Sequence, residues 1–552
     1  MAVVASLDPF GIISLIYQAI QIVISWVFSP LYPQLQQPQK PLKHVAIIGA
    51  GITGISSASH LLGHGFDVTI FEASQDVGGI WANVNSTSGL QISSILYRFH
   101  PSVKYTKGYP KRDEILENVK KIWKSYGLDK KTRFNQKVTS ITRHESSGDP
   151  EKGGLSRWII NGNEGDIYDG LLVCTGTCGK PKMLDLPNQE KFMGKIVHSS
   201  HLDGVDLKDK KVLIVGGGAS GVEALELAVA KGARKPMILA RSDKWVIPRF
   251  TVVDTVLALQ PLGRQTWLSC IPEILLRKLH YRDLEEKMAP TTPFYASTPI
   301  VNSTALQDIR EGKADYVRGD VVELQGHSVK FNKRKRGSKP EDEGQETNYA
   351  ADVIVVATGF EIPPLDFLPD DLFPEDYVRP NLYLQNFSIK DVSVCCTNAS
   401  FIGAVGTVGH VHIGIYARIL AVFLMDPSTR PLPRDARLWV DGIRWIKARA
   451  PGGALSFFTY MELMIWLVSF SFFKIERLKY FFFILLGWGF WVRQSYDEQG
   501  QVMKDKKGRL TGEPHFRWSL TKLIPFYYAK TRYAVGSSPR IGGPSAVKVN
   551  GA

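Results

Sequence analysis

The chain has 552 residues, 44% of them hydrophobic and 22% charged, with five cysteines. Those values exclude a disordered chain, a collagen-like chain, a polytopic membrane protein and a disulfide scaffold, and the cysteines offer no paired metal-ligand spacing, so no metal is expected. Lys plus Arg is 67 against 53 for Asp plus Glu, a formal charge of +14, which suits an anionic partner such as a membrane surface or a phosphorylated cofactor; no nucleic-acid motif accompanies it.

From residue 9 to 39 there is no charged side chain, and residues 10–28 are mostly Ile, Val, Leu, Phe and Trp, with Gln18 and Gln21 the strongly polar exceptions. About 20 apolar residues span a bilayer as a helix, so residues 1–42 read as a membrane anchor and a stiff connector built on Pro30, Pro33, Pro38 and Pro41. The first cations, Lys40 and Lys43, follow the apolar run. The positive-inside rule then puts the body on the cytosolic face of a membrane, expected to be the endoplasmic reticulum.

Residues 44–48 read as a buried strand, followed by Gly49-Ala50-Gly51-Ile52-Thr53-Gly54, a helix, and a second strand over 67–71 that ends at Glu72. Gly49 permits the tight turn, Gly51 lets a pyrophosphate approach the backbone, and Gly54 with Ala58 lets the helix pack close to the strand. The pyrophosphate would sit on the helix N-terminus and Glu72 would accept hydrogen bonds from a ribose diol.

The same syntax returns over residues 211–240 with Gly216-Gly217-Gly218-Ala219-Ser220-Gly221. Here the second strand ends in Arg241-Ser242, a cation and a hydroxyl where an acid would bind a free ribose hydroxyl. That substitution suits a 2′-phosphate and favours NADPH over NADH, with Lys244 and Arg249 as further cations. Two dinucleotide sites in one chain pair a hydride donor with a hydride acceptor. A disulfide reductase would need a cysteine pair in the first helix, and none lies there; Cys174 and Cys178 read as structural. Residues 332–347, which include Lys-Arg-Lys-Arg, read as a solvated loop between strands, and 352–359 as a buried strand. Residues 450–493 form an apolar, aromatic-rich helical region that either lies at a membrane interface or packs into the core. The tail, 494–552, is polar and basic.

Gly78-Gly79-Ile80-Trp81, Phe192-x-Gly194-x-x-x-His198, Trp245 with Pro248-Arg249, and Ala357-Thr358-Gly359 together resemble the spaced signatures of flavin-containing monooxygenases and Baeyer–Villiger monooxygenases. Gly89-Leu90-Gln91 and Tyr97-Arg98-Phe99-His100-Pro101 look most like fungal members of secondary-metabolite pathways. The resemblance implies an FAD- and NADPH-dependent monooxygenase that transfers one oxygen atom of O2 through a flavin hydroperoxide to a lipophilic small molecule. Two alternatives remain open: Baeyer–Villiger oxidation of a ketone, and a flavoprotein that no longer oxygenates but serves as a membrane-bound partner of another pathway enzyme. Gly79, Trp81, Ser94 and Val138 join the FAD set by this resemblance. Ser93 stands where the family commonly has an Asn near the flavin, and is the single candidate for a catalytic role. Leu202 departs from the aromatic residue that usually ends the histidine signature, and His198 is expected in the linker between the domains.

The expected fold class is α/β, with two doubly wound Rossmann-like domains. The NADPH domain, 207–349, is expected as an insertion between the two parts of an FAD domain, 43–206 and 350–449.

Overall fold

A computed structural model describes residues 12–32, 41–95, 98–250, 267–294, 299–399, 410–449, 459–492 and 515–517. The expectations placed on residues 1–11, on Pro33, Pro38 and Lys40, on Tyr97, and on all of the tail but 515–517 lie outside them. The runs rich in Val, Ile and Leu form the strands of two sheets. Four-residue runs with every side chain buried, such as Val212–Val215 and Val353–Val356, belong to parallel sheets covered on both faces.

The first sheet is five-stranded, ordered Val394–Cys395, Gly170–Val173, His44–Ile48, Asp67–Phe71, Thr132–Arg133, and all its pairings are parallel. Helix Ile52–Gly63 packs on it, and helix His410–Met425 packs against that helix. Its core includes Val45, Ile47, Val68 and Ile70 from the strands and Ile413, Leu420 and Phe423 from the later helix, all essentially inaccessible. The second sheet is seven-stranded and runs Gln345–Ala350, Ser328–Lys333, Asp315–Gln325, Met237–Ala240, Val212–Val215, Val353–Val356, Lys195–His198. The strands Ser328–Lys333 and Gln345–Ala350 are antiparallel additions to one edge.

This pairing moves both boundaries of the inserted domain. Residues 195–198 and 353–356, expected in the two FAD parts, hydrogen-bond into the second sheet, next to the strand of the second glycine turn. Short apolar strands carry no mark of which sheet they join; tertiary pairing decides.

The N-terminal segment also departs from expectation. Its helix, Ile12–Phe28, has 17 residues, about 25 Å of axis at 1.5 Å per residue, and among the described residues no helix is long and apolar enough to cross a membrane. Instead the helix docks along the first domain through its polar residues. Gln21 is buried: its Nε2 donates to the Tyr105 carbonyl at 2.9 Å, while its Oε1 accepts from Tyr105 N at 2.9 Å and Arg98 Nη1 at 3.0 Å. Ser29 Oγ meets Ser102 Oγ at 2.7 Å, and Tyr126 donates to the Pro30 carbonyl at 2.9 Å. The apolar face, with Leu15, Ile16, Ile22 and Val23, points outward and is more than half exposed.

The C-terminal apolar region divides in the same way. From the helix Thr459–Phe472, Leu463, Trp466, Leu467 and Phe470 enter the first core, as do Phe483, Ile484 and Trp491. Phe473 and Ile475 stand 88% and 82% exposed on the other side. Arg418, buried within the helix His410–Met425, donates to the Ile484 and Leu485 carbonyls at 2.8 and 3.3 Å. It thereby satisfies the C-terminal carbonyls of the short helix Phe481–Leu486, where the helix dipole favours a cation.

Candidate dinucleotide-binding sites

The two glycine turns are built alike. In the first, Gly49 has φ of 107°, and a Cβ there would lie 2.7 Å from the Cys174 carbonyl; a Cβ on Gly54 would lie 1.9 Å from the Gly49 carbonyl. In the second, Gly216 has φ of 122° and a Cβ would lie 2.5 Å from the Ala357 carbonyl, while one on Gly221 would lie 2.0 Å from the Gly216 carbonyl. Strand, turn and helix are therefore compressed to distances that only glycine permits. In both cases a neighbouring strand end closes over the turn, Cys174 after Gly170–Val173 and Ala357 after Val353–Val356.

The middle glycines leave room for a ligand. A Cβ on Gly218 would meet nothing within 4 Å, and one on Gly51 would meet only the backbone of Gly79, at 3.7 Å or more. Gly78 and Gly79, with φ of 129° and 57°, fold back so that Gly78 N donates to the Ala50 carbonyl at 3.0 Å. This places the Gly78-to-Trp81 segment against the first turn, with half-buried Trp81 in the short helix Gly79–Asn83. The residues present fit a pyrophosphate at each helix N-terminus.

Glu72 sits where the second strand ends, and its carboxylate accepts from Ala50 N at 2.7 Å and from Ser74 N and Oγ at 2.9 and 2.7 Å. It is fixed at the mouth of the first turn, placed for a ribose. Gln136 N donates to the Glu72 carbonyl at 2.9 Å, and Val138, two residues on, is buried. Ser93 and Ser94 are both fully buried. Ser94 N donates to the Gly108 carbonyl at 2.8 Å, and its hydroxyl lies 2.6 Å from that of Tyr17 on the N-terminal helix.

At the second site Ser220 lies in the first turn of the helix Ala219–Ala230, and Arg241 and Ser242 stand exposed at the end of the following strand. Arg241 already has partners: its Nη2 is 2.7 Å from Glu341 Oε1 and its Nε is 3.5 Å from Asp320 Oδ1. Arg249 does not join it; its Nη2 is 3.3 Å from Glu226 on the cradle helix. Trp245 is a core residue whose Nε1 donates to the Thr292 carbonyl at 3.0 Å.

Several contacts join the two units, most of them between residues far apart in the chain that no motif connects. Asn85 clasps the linker: its Nδ2 donates to the Ser199 carbonyl at 2.6 Å and its Oδ1 accepts from Leu202 N at 2.7 Å. Asp203 accepts from Ser86 N at 2.8 Å and from Arg112 Nη1 at 3.3 Å. Gln91 Nε2 donates to Glu223 on the second cradle helix at 2.6 Å. His198, on the linker side of its strand, donates from Nε2 to the Gly359 carbonyl at 2.9 Å, so Nδ1 accepts from Ser200 Oγ at 2.7 Å. Burial lowers the His198 pKa below its ordinary value. Burial raises that of Glu223 to about 7, against the opposing hydrogen bond from Gln91 and charge of Arg249. Leu202, at the position where the aromatic residue was expected, is fully buried in the second core. Asn398 reaches back from the late part of the first domain to donate to Thr53 in the first glycine turn at 2.9 Å. Cys174 and Cys178 are free thiols, as are the other three cysteines.

Two dinucleotide cradles clasped across a linker define the chain as a two-Rossmann-domain nucleotide-binding protein. Residues 42–414 match the model of the flavin-binding monooxygenase-like family, and the chain belongs to that family, whose members use FAD and NADPH. Flavin-containing monooxygenase 1 of Sus scrofa is 28% identical over 372 residues, covering 62% of this chain and 66% of the relative. Among solved structures, oxidised steroid monooxygenase bound to NADP matches with a TM-score of 0.57 at 18% identity, covering 76% of this chain and 93% of that one. Cyclohexanone monooxygenase bound to ε-caprolactone matches with a TM-score of 0.57 at 15% identity, covering 78% and 98%. At those identities the structural likeness establishes the fold.

Proposed function

We propose that this chain is an FAD-dependent, NADPH-consuming monooxygenase that inserts one oxygen atom of O2 into a lipophilic small molecule. The observation that carries the reading is the pair of equivalent cradles, each open at its middle glycine and clasped to the other through Asn85, Gln91 and Asp203. Gly49, Gly51, Gly54, Glu72, Gly79, Trp81, Ser94 and Val138 would hold FAD. Gly216, Gly218, Ser220, Gly221, Arg241 and Ser242 would hold NADPH. FAD held there would supply the hydride acceptor and the means of activating O2.

The protein's own part is positional. Helix N-termini neutralise the pyrophosphates, and Glu72, locked by Ala50 and Ser74, orients a ribose. The Asn85 clasp holds the linker so that the second cradle keeps its distance from the first. Ser93 and Ser94 are both sealed from water, Ser94 against Tyr17 of the N-terminal helix, and a dry site protects reactive oxygen chemistry. A fungal secondary-metabolite role is the finer form of this reading, supported by Gly89-Leu90-Gln91 and Arg98-Phe99-His100-Pro101.

The body would lie on a membrane, on its cytosolic face, in a monotopic rather than spanning mode. Exposed Leu15, Ile16, Ile22 and Val23 support this, as do the exposed Lys104 and Lys107 beside the residues that dock the helix. An apolar face flanked by cations suits the boundary of an anionic bilayer. The second reading, Baeyer–Villiger oxidation of a ketone, is supported by Asp203, which is tied to Ser86 and Arg112, and weakened by Leu202. Incubation with NADPH and isotopically labelled O2 tests the proposal. Label in a heteroatom oxide supports the first reading and label in an ester the second. NADPH oxidation without labelled product from a substrate panel would argue for the non-oxygenating alternative.

A further inference from the structure

The charge-rich run after residue 332 is a largely exposed loop between strands, as expected, but Arg334 within it is buried. Residues 334–344 connect the antiparallel strands Ser328–Lys333 and Gln345–Ala350 and fold over the end of the strand that carries Arg241. Arg334, fully buried, staples the loop down: its Nη2 donates to the Arg241 carbonyl at 2.7 Å, its Nη1 to Ser338 Oγ at 3.0 Å, and its Nε lies 2.7 Å from Asp320 Oδ2. Arg336 is spent on Glu286 at 3.0 Å. The loop thus delivers Glu341, at φ of 74°, onto the guanidinium of Arg241.

The two acids on Arg241 differ in freedom. Asp320 is 19% exposed and is held by Arg334 and by Glu341 N at 3.1 Å. Glu341 is 81% exposed and, as a side chain, has Arg241 Nη2 for its ion-pair partner. Asp320 can therefore keep the Nε edge in place while the Glu341 carboxylate swings into water. A phosphate monoester carries more charge than a carboxylate and matches the planar fork of Arg. An unphosphorylated ribose has nothing with which to displace Glu341.

We infer that Glu341 is a displaceable counter-ion that occupies the place of the cofactor's 2′-phosphate on Arg241 and so tempers the preference that Arg241 gives for phosphorylated over unphosphorylated nicotinamide cofactors. The inference rests on the assignment of Arg241 to that phosphate. The test is calorimetric titration of the FAD-loaded protein with adenosine 2′,5′-bisphosphate and with ADP, using wild type, Glu341→Gln, Arg241→Ala and the double variant. An exposed ion pair of this kind weighs little, so Glu341→Gln should tighten the bisphosphate about two- to fivefold. ADP binding should stay unchanged, and added salt should shrink the gain. The gain should vanish in the double variant. Unchanged or weaker bisphosphate binding in Glu341→Gln, or a gain that survives Arg241→Ala, overturns the inference. If Arg241→Ala alone leaves the preference for the bisphosphate over ADP intact, the assignment of Arg241 itself fails.

Discussion

Replacing Glu223 by Gln should stabilise the protein in a pH-dependent way. Glu223 lies on the second cradle helix and receives Gln91 Nε2 at 2.6 Å across the junction of the two units. Burial raises its pKa from 4.5 to about 7, with the hydrogen bond from Gln91 and the charge of Arg249 opposing and the charge of Glu226 adding to the rise. A carboxyl whose folded pKa lies above its unfolded value favours the neutral form, so its contribution is complete below the unfolded value and is lost as pH rises through the folded one. A rise of that size corresponds to about 3 kcal/mol, or about 2–3 kcal/mol once the partial exposure of the residue is allowed for. Gln keeps an oxygen that can accept from Gln91 and removes the charge. Urea unfolding followed by tryptophan fluorescence, with Trp245 buried in the same unit, should show near-equal stability of the two proteins at about pH 4. The gain for Glu223→Gln should approach 2–3 kcal/mol at about pH 8. A gain independent of pH, or none at the higher pH, would mean that the Glu223 carboxyl is not held neutral by burial.

Gly54→Ala forces a Cβ to 1.9 Å from the Gly49 carbonyl and should abolish flavin retention, read as the bound FAD per chain after gel filtration. Arg241→Ala should raise the KM for NADPH at least tenfold with little change for NADH, the loss of one charge-assisted phosphate contact of about 1.5–3 kcal/mol; steady-state kinetics with both cofactors check it. Gln21→Leu leaves buried Arg98 without one of its acceptors and should cost about 1–3 kcal/mol, measured by urea unfolding. Replacing Leu15, Ile16, Ile22 and Val23 together by Ser should weaken binding to anionic vesicles in a sedimentation assay without changing flavin content; undiminished binding would place the membrane contact elsewhere, on the exposed Phe473 and Ile475 side.

The cradles were legible because their constraint is local: a side chain at Gly54 or Gly221 would strike the carbonyl at the start of its own turn, and strand, turn and helix follow in order. The strand ends Glu72 and Arg241 were legible for the same reason. What was not legible is whatever the chain brings together from afar. Gln91 and Glu223 are 132 positions apart and Arg241 and Glu341 are 100 apart, and no spacing rule joins them. The domain boundary failed because Lys195–His198 and Val353–Val356 are short apolar strands with no intrinsic allegiance to either sheet. The N-terminal helix misled because a charge-free apolar stretch looks the same whether it spans lipid or lies against protein. Gln21, read as an incidental polar residue, is the group that decides, since a buried amide demands partners and finds them in Arg98 and Tyr105.

If one cradle holds a flavin within hydride reach of a phosphorylated nicotinamide held by the other, NADPH must reduce that flavin. Anaerobic rapid mixing of the FAD-loaded protein with NADPH tests it most directly, with the visible flavin absorbance as the signal. Full bleaching is expected with NADPH, slow bleaching with NADH, and NADPH bleaching reduced toward the NADH rate in Arg241→Ala. A protein that binds FAD yet keeps its colour under NADPH, or bleaches equally fast with both donors, would contradict it.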